Sequence, residues 1–180
     1  MTPMFLIGID PGASGAAAVL NPAGEICALF PWAKMTPAEM HAEILTFRGA
    51  CAYMEKVHSM PKQGVASTFK FGWNAGWWEG MLTGACIPLI ETPIPATWQR
   101  AMGCLSKGDK NVTKAMAQRL WPRQVKQLTH ATADAALIAE YGRRRAVALG
   151  ATGIAPDAAT GLPVLPVIVA QEEASGGVQA

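Results

Sequence analysis

Met4-Phe5-Leu6-Ile7-Gly8-Ile9-Asp10-Pro11-Gly12 is the stretch on which the reading of the fold turns. An apolar run over residues 4–9 stops abruptly at an aspartate and a Pro-Gly turn, as a buried strand does. A second run, Ala16 to Leu20, closes at Asn21-Pro22-Ala23-Gly24, and a third follows from Glu25 to Phe30. Three strands joined by tight turns predict an antiparallel meander. Thr36-Pro37 then starts a helix, with Thr36 as N-cap, Pro37 in the first position and Met40, Ile44 and Phe47 at helical spacing. Residues 50–57 return to strand, and His58 to Gly64 is a polar loop. The order β-β-β-α-β makes the first strand central, so Asp10 ends a strand where a carboxylate is costly to bury unless something positive compensates it.

Farther along, Ser67 to Gly84 reads as a helix in which Gly72, Gly76, Gly80 and Gly84 form one stripe. Glycine costs about 1 kcal/mol against alanine inside a helix, so the stripe implies a close approach. The protein's own sheet is the first expectation and a subunit contact the second. Trp73, Trp77 and Trp78 beside it are expected in the core or an interface. Ile87 to Ile90 is a further strand. Between Thr97 and Lys126 seven basic residues face Asp109 alone, on two helices around a loop at Ser106-Lys107-Gly108-Asp109-Lys110. The last helix runs from His130 to Leu149, with Leu137, Ile138, Tyr141 and Ala148 inward. One domain over residues 1–150 is expected, followed by a flexible acidic tail, 151–180, whose Val164 to Val169 patch could add an edge strand or bind a partner.

A chain of 180 residues that is 51% hydrophobic can bury one core. All 15 Lys and Arg residues precede position 150, whereas the tail carries only Asp157, Glu172 and Glu173. The body is thus basic and the tail acidic, which permits an anionic partner without requiring one. Cys27, Cys51, Cys86 and Cys104 stand singly, without metal-ligand spacing, and are expected to be reduced core thiols. The N-terminus lacks a basic leader pattern and no apolar run is long enough to span a membrane, so the cytoplasm of a bacterial or phage-infected cell is the expected compartment.

The candidate chemistry begins with two acids at strand ends. Asp10 ends the first strand, and Glu55 stands at the exit of the buried Ala50-Cys51-Ala52-Tyr53-Met54. Pairing of Glu55 with Lys56 or Lys62 is the structural alternative. His130 and Asp134, four apart at the start of the last helix, project from one face one turn apart. Taken alone, such a pair also suits helix capping and the helix dipole. Small residues around Asp134, from Ala131 to Ala136, let that helix press closely on its neighbour.

Ile7-Gly8-Ile9-Asp10-Pro11-Gly12 with Ser14-Gly15 resembles the opening strand of RuvC-type Holliday junction resolvases, of the RNase H-like superfamily. Tyr53-Met54-Glu55-Lys56-Val57, Gln63-Gly64 and Ser67 to Gly72 are similar to the second acidic strand and helix of the phage-type members. Pro95-Ala96-Thr97-Trp98-Gln99 with Lys107-Gly108-Asp109-Lys110 resembles the family's basic segment, and His130 to Ala139 its closing acidic helix. The likeness spans residues 4–142 in order. It implies an α/β fold, a mixed five-stranded sheet flanked by helices, with Asp10, Glu55 and Asp134 at the family's acidic positions. Many members carry another acid one turn before the last aspartate, where this chain has His130.

The implied activity is endonucleolytic hydrolysis of branched DNA through paired nicks. Phosphodiester hydrolysis needs an activated water and relief of charge on the leaving oxygen, and two divalent ions about 3.5–4 Å apart supply both. Oxygen ligands suit Mg2+ or Mn2+. The resemblance casts Asp10 as a bridging ligand, Glu55 and Asp134 as ligands of opposite metals, and His130 as a ligand or positioner of water. Lys107 and Lys110 would contact the scissile-strand phosphates, with Arg100, Lys114 and Arg123 farther out, and Phe69 or Met60 could wedge into an opened junction. A four-way junction has two-fold symmetry, which implies a homodimer, with the helix at 67–84 as the contact. Three other readings stand beside this one: a phosphate-cradling ATPase, disfavoured by length; a non-catalytic branched-DNA-binding relative; and a nuclease of forks or flaps.

Overall fold

The computed structural model describes residues 4–58 and 64–148. Five strands, β1 (Leu6–Asp10), β2 (Ala16–Leu20), β3 (Ile26–Pro31), β4 (Cys51–Met54) and β5 (Leu89–Glu91), form one sheet in the order β3-β2-β1-β4-β5. The expected meander is present, since β1 pairs antiparallel with β2 and β2 with β3. The remaining pairings, β1 with β4 and β4 with β5, are parallel, so the sheet is mixed. Parallel partners need crossovers, which α1 (Pro37–Leu45) and α2 (Val65–Gly84) provide. Helix α1 starts as its sequence dictates: Thr36 and Glu39 form a reciprocal capping box and Pro37 occupies the first turn.

Two apolar layers enclose the sheet. On one face Ile7, Ile9, Met54, Met40 and Ile44 pack with Trp78, Met81 and Leu82 of α2. The opposite face carries α3 (Pro95–Ala101), α4 (Lys110–Leu120) and α5 (His130–Ala148), with Trp98, Leu137 and Ile138 against Leu6 and Tyr53. Helix α5 lies directly on β1: a Cβ at Gly8 would fall 2.2 Å from the Ala135 carbonyl oxygen and the Ala139 nitrogen. Gly142 meets the Tyr53 ring as closely. Glycine on the strand and alanines on the helix are therefore two sides of one contact.

Several expectations change. The Gly72, Gly76, Gly80 and Gly84 stripe does not pack on the sheet, because a Cβ at any of the four would meet nothing within 4 Å. Helix α2 instead buries Asn74, Ala75, Trp78, Met81 and Leu82. Of the tryptophans beside the stripe, Trp78 is core, while Trp73 is 53% exposed and stacks edge-on with Trp32. Only Cys51 and Cys104 are buried thiols; Cys27 and Cys86 are exposed, and all four are free. On α5 the inward residue near the end is Ala146 rather than Ala148. Met60, Lys62 and the 151–180 tail lie outside the described residues. Among the described residues no helix is long and apolar enough to cross a membrane.

Candidate active site

Strand alternation decides which side chains meet. On β1, Ile7 and Ile9 point to the α2 layer, so Leu6, Gly8 and Asp10 point toward α5. On β4, Met54 points to the α2 layer and Tyr53 to the α5 layer, which carries Glu55 to the α5 side as well. The parallel register pairs Gly8 with Tyr53 and Ile9 with Met54, and the Glu55 N–H continues the ladder to the Ile9 carbonyl (2.9 Å). Asp10 and Glu55 thus end adjacent strands on one face. Helix α5, pressed onto that face at Gly8, brings Asp134 to the same place.

Asp10, Glu55 and Asp134 line one cavity of about 530 Å3, together with Lys107, Lys110, Thr113, Gln99, Ser106 and Phe71. Each carboxylate has its own surroundings. The Asp10 Oδ1 accepts from the Gly12 N–H (2.9 Å), closing the turn after β1. The Glu55 Oε2 accepts from the indole N–H of Trp98 (2.8 Å), and among the described residues no lysine forms an ion pair with it. The Asp134 Oδ1 is buried without a hydrogen-bond partner among the described residues.

Burial raises all three carboxyl groups, and repulsion between carboxylates adds to the shift at Asp10 and Glu55. Burial pushes Asp10 up, the Gly12 N–H opposes it, and Asp134 adds repulsion. Glu55 is pushed up to about 7 by burial and then by Asp10, with the Trp98 hydrogen bond acting against the shift. Burial likewise raises Asp134, against the Thr113 hydroxyl, Lys110 and His130. Three raised acids around one cavity store electrostatic free energy that a cation would release. Among the described residues no three His, Cys, Asp or Glu side chains form a closed ligand cluster. The donor set still fits a hard divalent cation: it is all oxygen, and the orphaned Asp134 Oδ1 needs a positive partner.

The basic loop is built to face the carboxylates. Gln99 Oε1 accepts from both the N–H (3.0 Å) and the hydroxyl (3.2 Å) of Ser106, whose Oγ in turn accepts from the Gly108 N–H (3.3 Å). This network holds Lys107 at φ 49° and Gly108 at φ 97°. A left-handed lysine costs roughly 1 kcal/mol, which the Ser106 bonds offset. Asp109 then caps α4 by accepting from the Asn111 N–H (2.9 Å).

The other sequence candidates fall elsewhere. His130 is exposed, does not line the cavity, and hydrogen-bonds Asn111 (3.1 Å between Nε2 and Oδ1). Arg100 and Arg123 are exposed and Lys114 half-buried, all away from the cavity lining. Phe69 is 72% exposed at the start of α2. Trp98, Gln99 and Ser106 carry no local signal in the sequence beyond the motifs that contain them. A tryptophan followed by an amide seven residues before a Ser-Lys-Gly-Asp loop carries no periodicity that marks it.

The chain resembles proteins of known activity. The chloroplastic Holliday junction resolvase MOC1 of Chlamydomonas reinhardtii is 30% identical over 132 residues, which are 71% of this chain and 14% of that protein. The chain therefore spans about one seventh of that relative's length. Among solved structures, Thermus thermophilus RuvC superposes with a TM-score of 0.57 at 18% identity, covering 82% of this chain and 97% of that one. The T. thermophilus RuvC structure in complex with a Holliday junction substrate gives a TM-score of 0.55 at 17% identity, over 82% of this chain and 96% of that one. No family model matches the sequence. The fold is thus that of RuvC, an RNase H-like mixed five-stranded sheet flanked by helices, as the resemblance over residues 4–142 implied.

Proposed function

We propose that this chain is a divalent-metal-dependent endonuclease that resolves four-way DNA junctions by paired phosphodiester hydrolysis. The observation that carries the reading is the convergence of Asp10, Glu55 and Asp134, from three elements, on a cavity also lined by Lys107 and Lys110. Likeness to a resolvase and to a RuvC seen with its junction supports the choice of substrate. Asp10, Glu55 and Asp134 would hold Mg2+ or Mn2+, which when bound supplies charge neutralisation and activation of water. Lys107 and Lys110 bind and orient the phosphate beside the acids, while Arg100, Lys114 and Arg123 extend the basic surface along the DNA. His130, one turn before Asp134 on α5 and hydrogen-bonded to Asn111 outside the cavity, would act at one remove from the metal. Phe69, exposed on α2, is the wedge candidate.

Two nicks placed symmetrically need two sites, so the reading includes a homodimer. The uncovered glycine face of α2, with Trp73 exposed beside it, is the proposed contact, since glycine that packs on nothing within the subunit is free to admit a partner helix.

Cleavage of a labelled four-way junction, beside duplex, flap and single-strand controls, in Mg2+, Mn2+ or chelator, tests the proposal. Paired metal-dependent nicks at the junction are expected, and Asp10→Asn should lower the rate more than about 100-fold, because even partners of metal ligands cost about 10–100-fold. Tight binding without cutting in any metal would instead favour a non-catalytic junction-binding protein. Lys107→Ala should weaken junction affinity and flatten its salt dependence by about one counterion.

A further inference from the structure

Trp98 is fully buried, yet its one polar atom is spent on a candidate metal ligand. Helix α3 stands on the α5 face of the sheet, with Trp98 packed among Leu6, Tyr53, Met102 and Leu137. From there the indole N–H reaches Glu55 Oε2 at 2.8 Å, across 43 residues of sequence. Asp10 and Asp134 are placed differently. The former ends a hydrogen-bonded strand and is held by the backbone two residues on; the latter rides on a long helix. Glu55 lies one residue past the end of β4 and has an extra rotatable bond. Freezing such a side chain on a cation costs conformational entropy, unless a fixed donor has already restricted it.

We propose that Trp98 is a positioning residue for the reaction: its indole N–H fixes Glu55 Oε2 and leaves the other carboxylate oxygen to engage a divalent cation beside Asp10 and Asp134. The inference rests on the nuclease reading above. Partners of metal-binding carboxylates orient the ligand, and their loss lowers metal affinity by about 10–100-fold. A rigid indole embedded in the core does this better than a flexible polar side chain, because packing of the bicyclic ring defines the direction of its single donor.

The test is Mn2+ binding by the full chain, measured by calorimetry without DNA. Trp98→Phe removes the donor and should weaken Mn2+ binding about tenfold or more. Because a smaller ring also leaves a cavity, a second variant carries 3-benzothienylalanine at position 98, which keeps the bicyclic shape and replaces N–H by sulfur. It should show the same loss of Mn2+ affinity while keeping a cooperative melting transition in chelator and the parent's metal-free junction affinity. In a Glu55→Gln background the benzothienyl replacement should change Mn2+ affinity by less than about twofold. Parental Mn2+ affinity in the benzothienyl variant overturns the proposal, as does an undiminished effect in the Glu55→Gln background. Failure of the parent itself to bind Mn2+ or Mg2+ is a separate result that removes the metal-dependent reading and this role with it.

Discussion

Helices α2 and α5 both carry small residues at close spacing, and they use them in opposite ways. On α5, alanines at 133, 135, 136 and 139 are fully buried, and Ala135 and Ala139 sit against the sheet, where Gly8 admits the helix backbone. On α2, four glycines at four-residue spacing face open space, and the opposite side of the helix does the packing. Small residues permit close approach but do not say to what. Alanine keeps helix propensity and loses nothing by burial, so it suits a helix pressed on its own sheet; glycine exposed on a helix costs stability with no return inside the subunit. The functional consequence follows from position. Helix α5 brings Asp134 to the ends of β1 and β4, whereas α2 presents an uncovered face away from the sheet.

The comparison can be broken most forcefully at Gly8. Gly8→Ala places a methyl group 2.2 Å from α5 backbone, which cannot rotate away, and should cost more than about 3 kcal/mol in chemical denaturation. Retained stability would mean that α5 does not sit on β1 as described. Next in size is the pH response of the metal-free protein. Glu55 titrates at about 7 when folded and near its ordinary 4.5 when unfolded, so between those values the folded state holds the extra proton. Stability in chelator should therefore fall by roughly 3 kcal/mol as pH rises from about 5 to 7.5 and then level off, with Asp10 and Asp134 contributing in the same direction. Denaturant titrations at pH 5, 6, 7 and 8 check this, and saturating Mn2+ should abolish the fall.

Asp134→Asn separates the folding role of α5 from its chemical one. Removing a carboxylate charge that burial disfavours, and whose Oδ1 has no hydrogen-bond partner among the described residues, should raise metal-free stability at pH 8 by about 1–2 kcal/mol, while the proposed cleavage is lost. A destabilised variant would show that the carboxylate has a structural partner. The smallest effect belongs to α2. Gly76→Ala meets no atom in the subunit and should stabilise the monomer by about 0.5–1 kcal/mol through helix propensity. If α2 is the dimer contact, the same change should shift the monomer–dimer equilibrium in light scattering toward monomer; an unchanged equilibrium places the contact elsewhere.

Much of this molecule was legible in its sequence because the relevant signals are local. The apolar runs and their Pro, Gly and Asn stops define β1 to β3, the Thr36-Pro37 start defines α1, and the acids at the ends of apolar strands mark the site. Asp10 and Glu55 could be singled out because a carboxylate at the end of a buried strand is a local contradiction, whereas Asp134 drew its weight from the resemblance. What the tertiary structure decided is how separate elements meet. Whether a row of glycines touches a sheet or faces solvent depends on the rotation of α2 about its axis, which Trp78, Met81 and Leu82 set. That Glu55 bonds an indole rather than Lys56, and that Gln99 holds the Lys107 loop, depends on where α3 lands after a parallel crossover. Hydrophobic periodicity is written residue by residue along the chain, whereas a hydrogen bond between residues 43 positions apart exists only once the layers have packed.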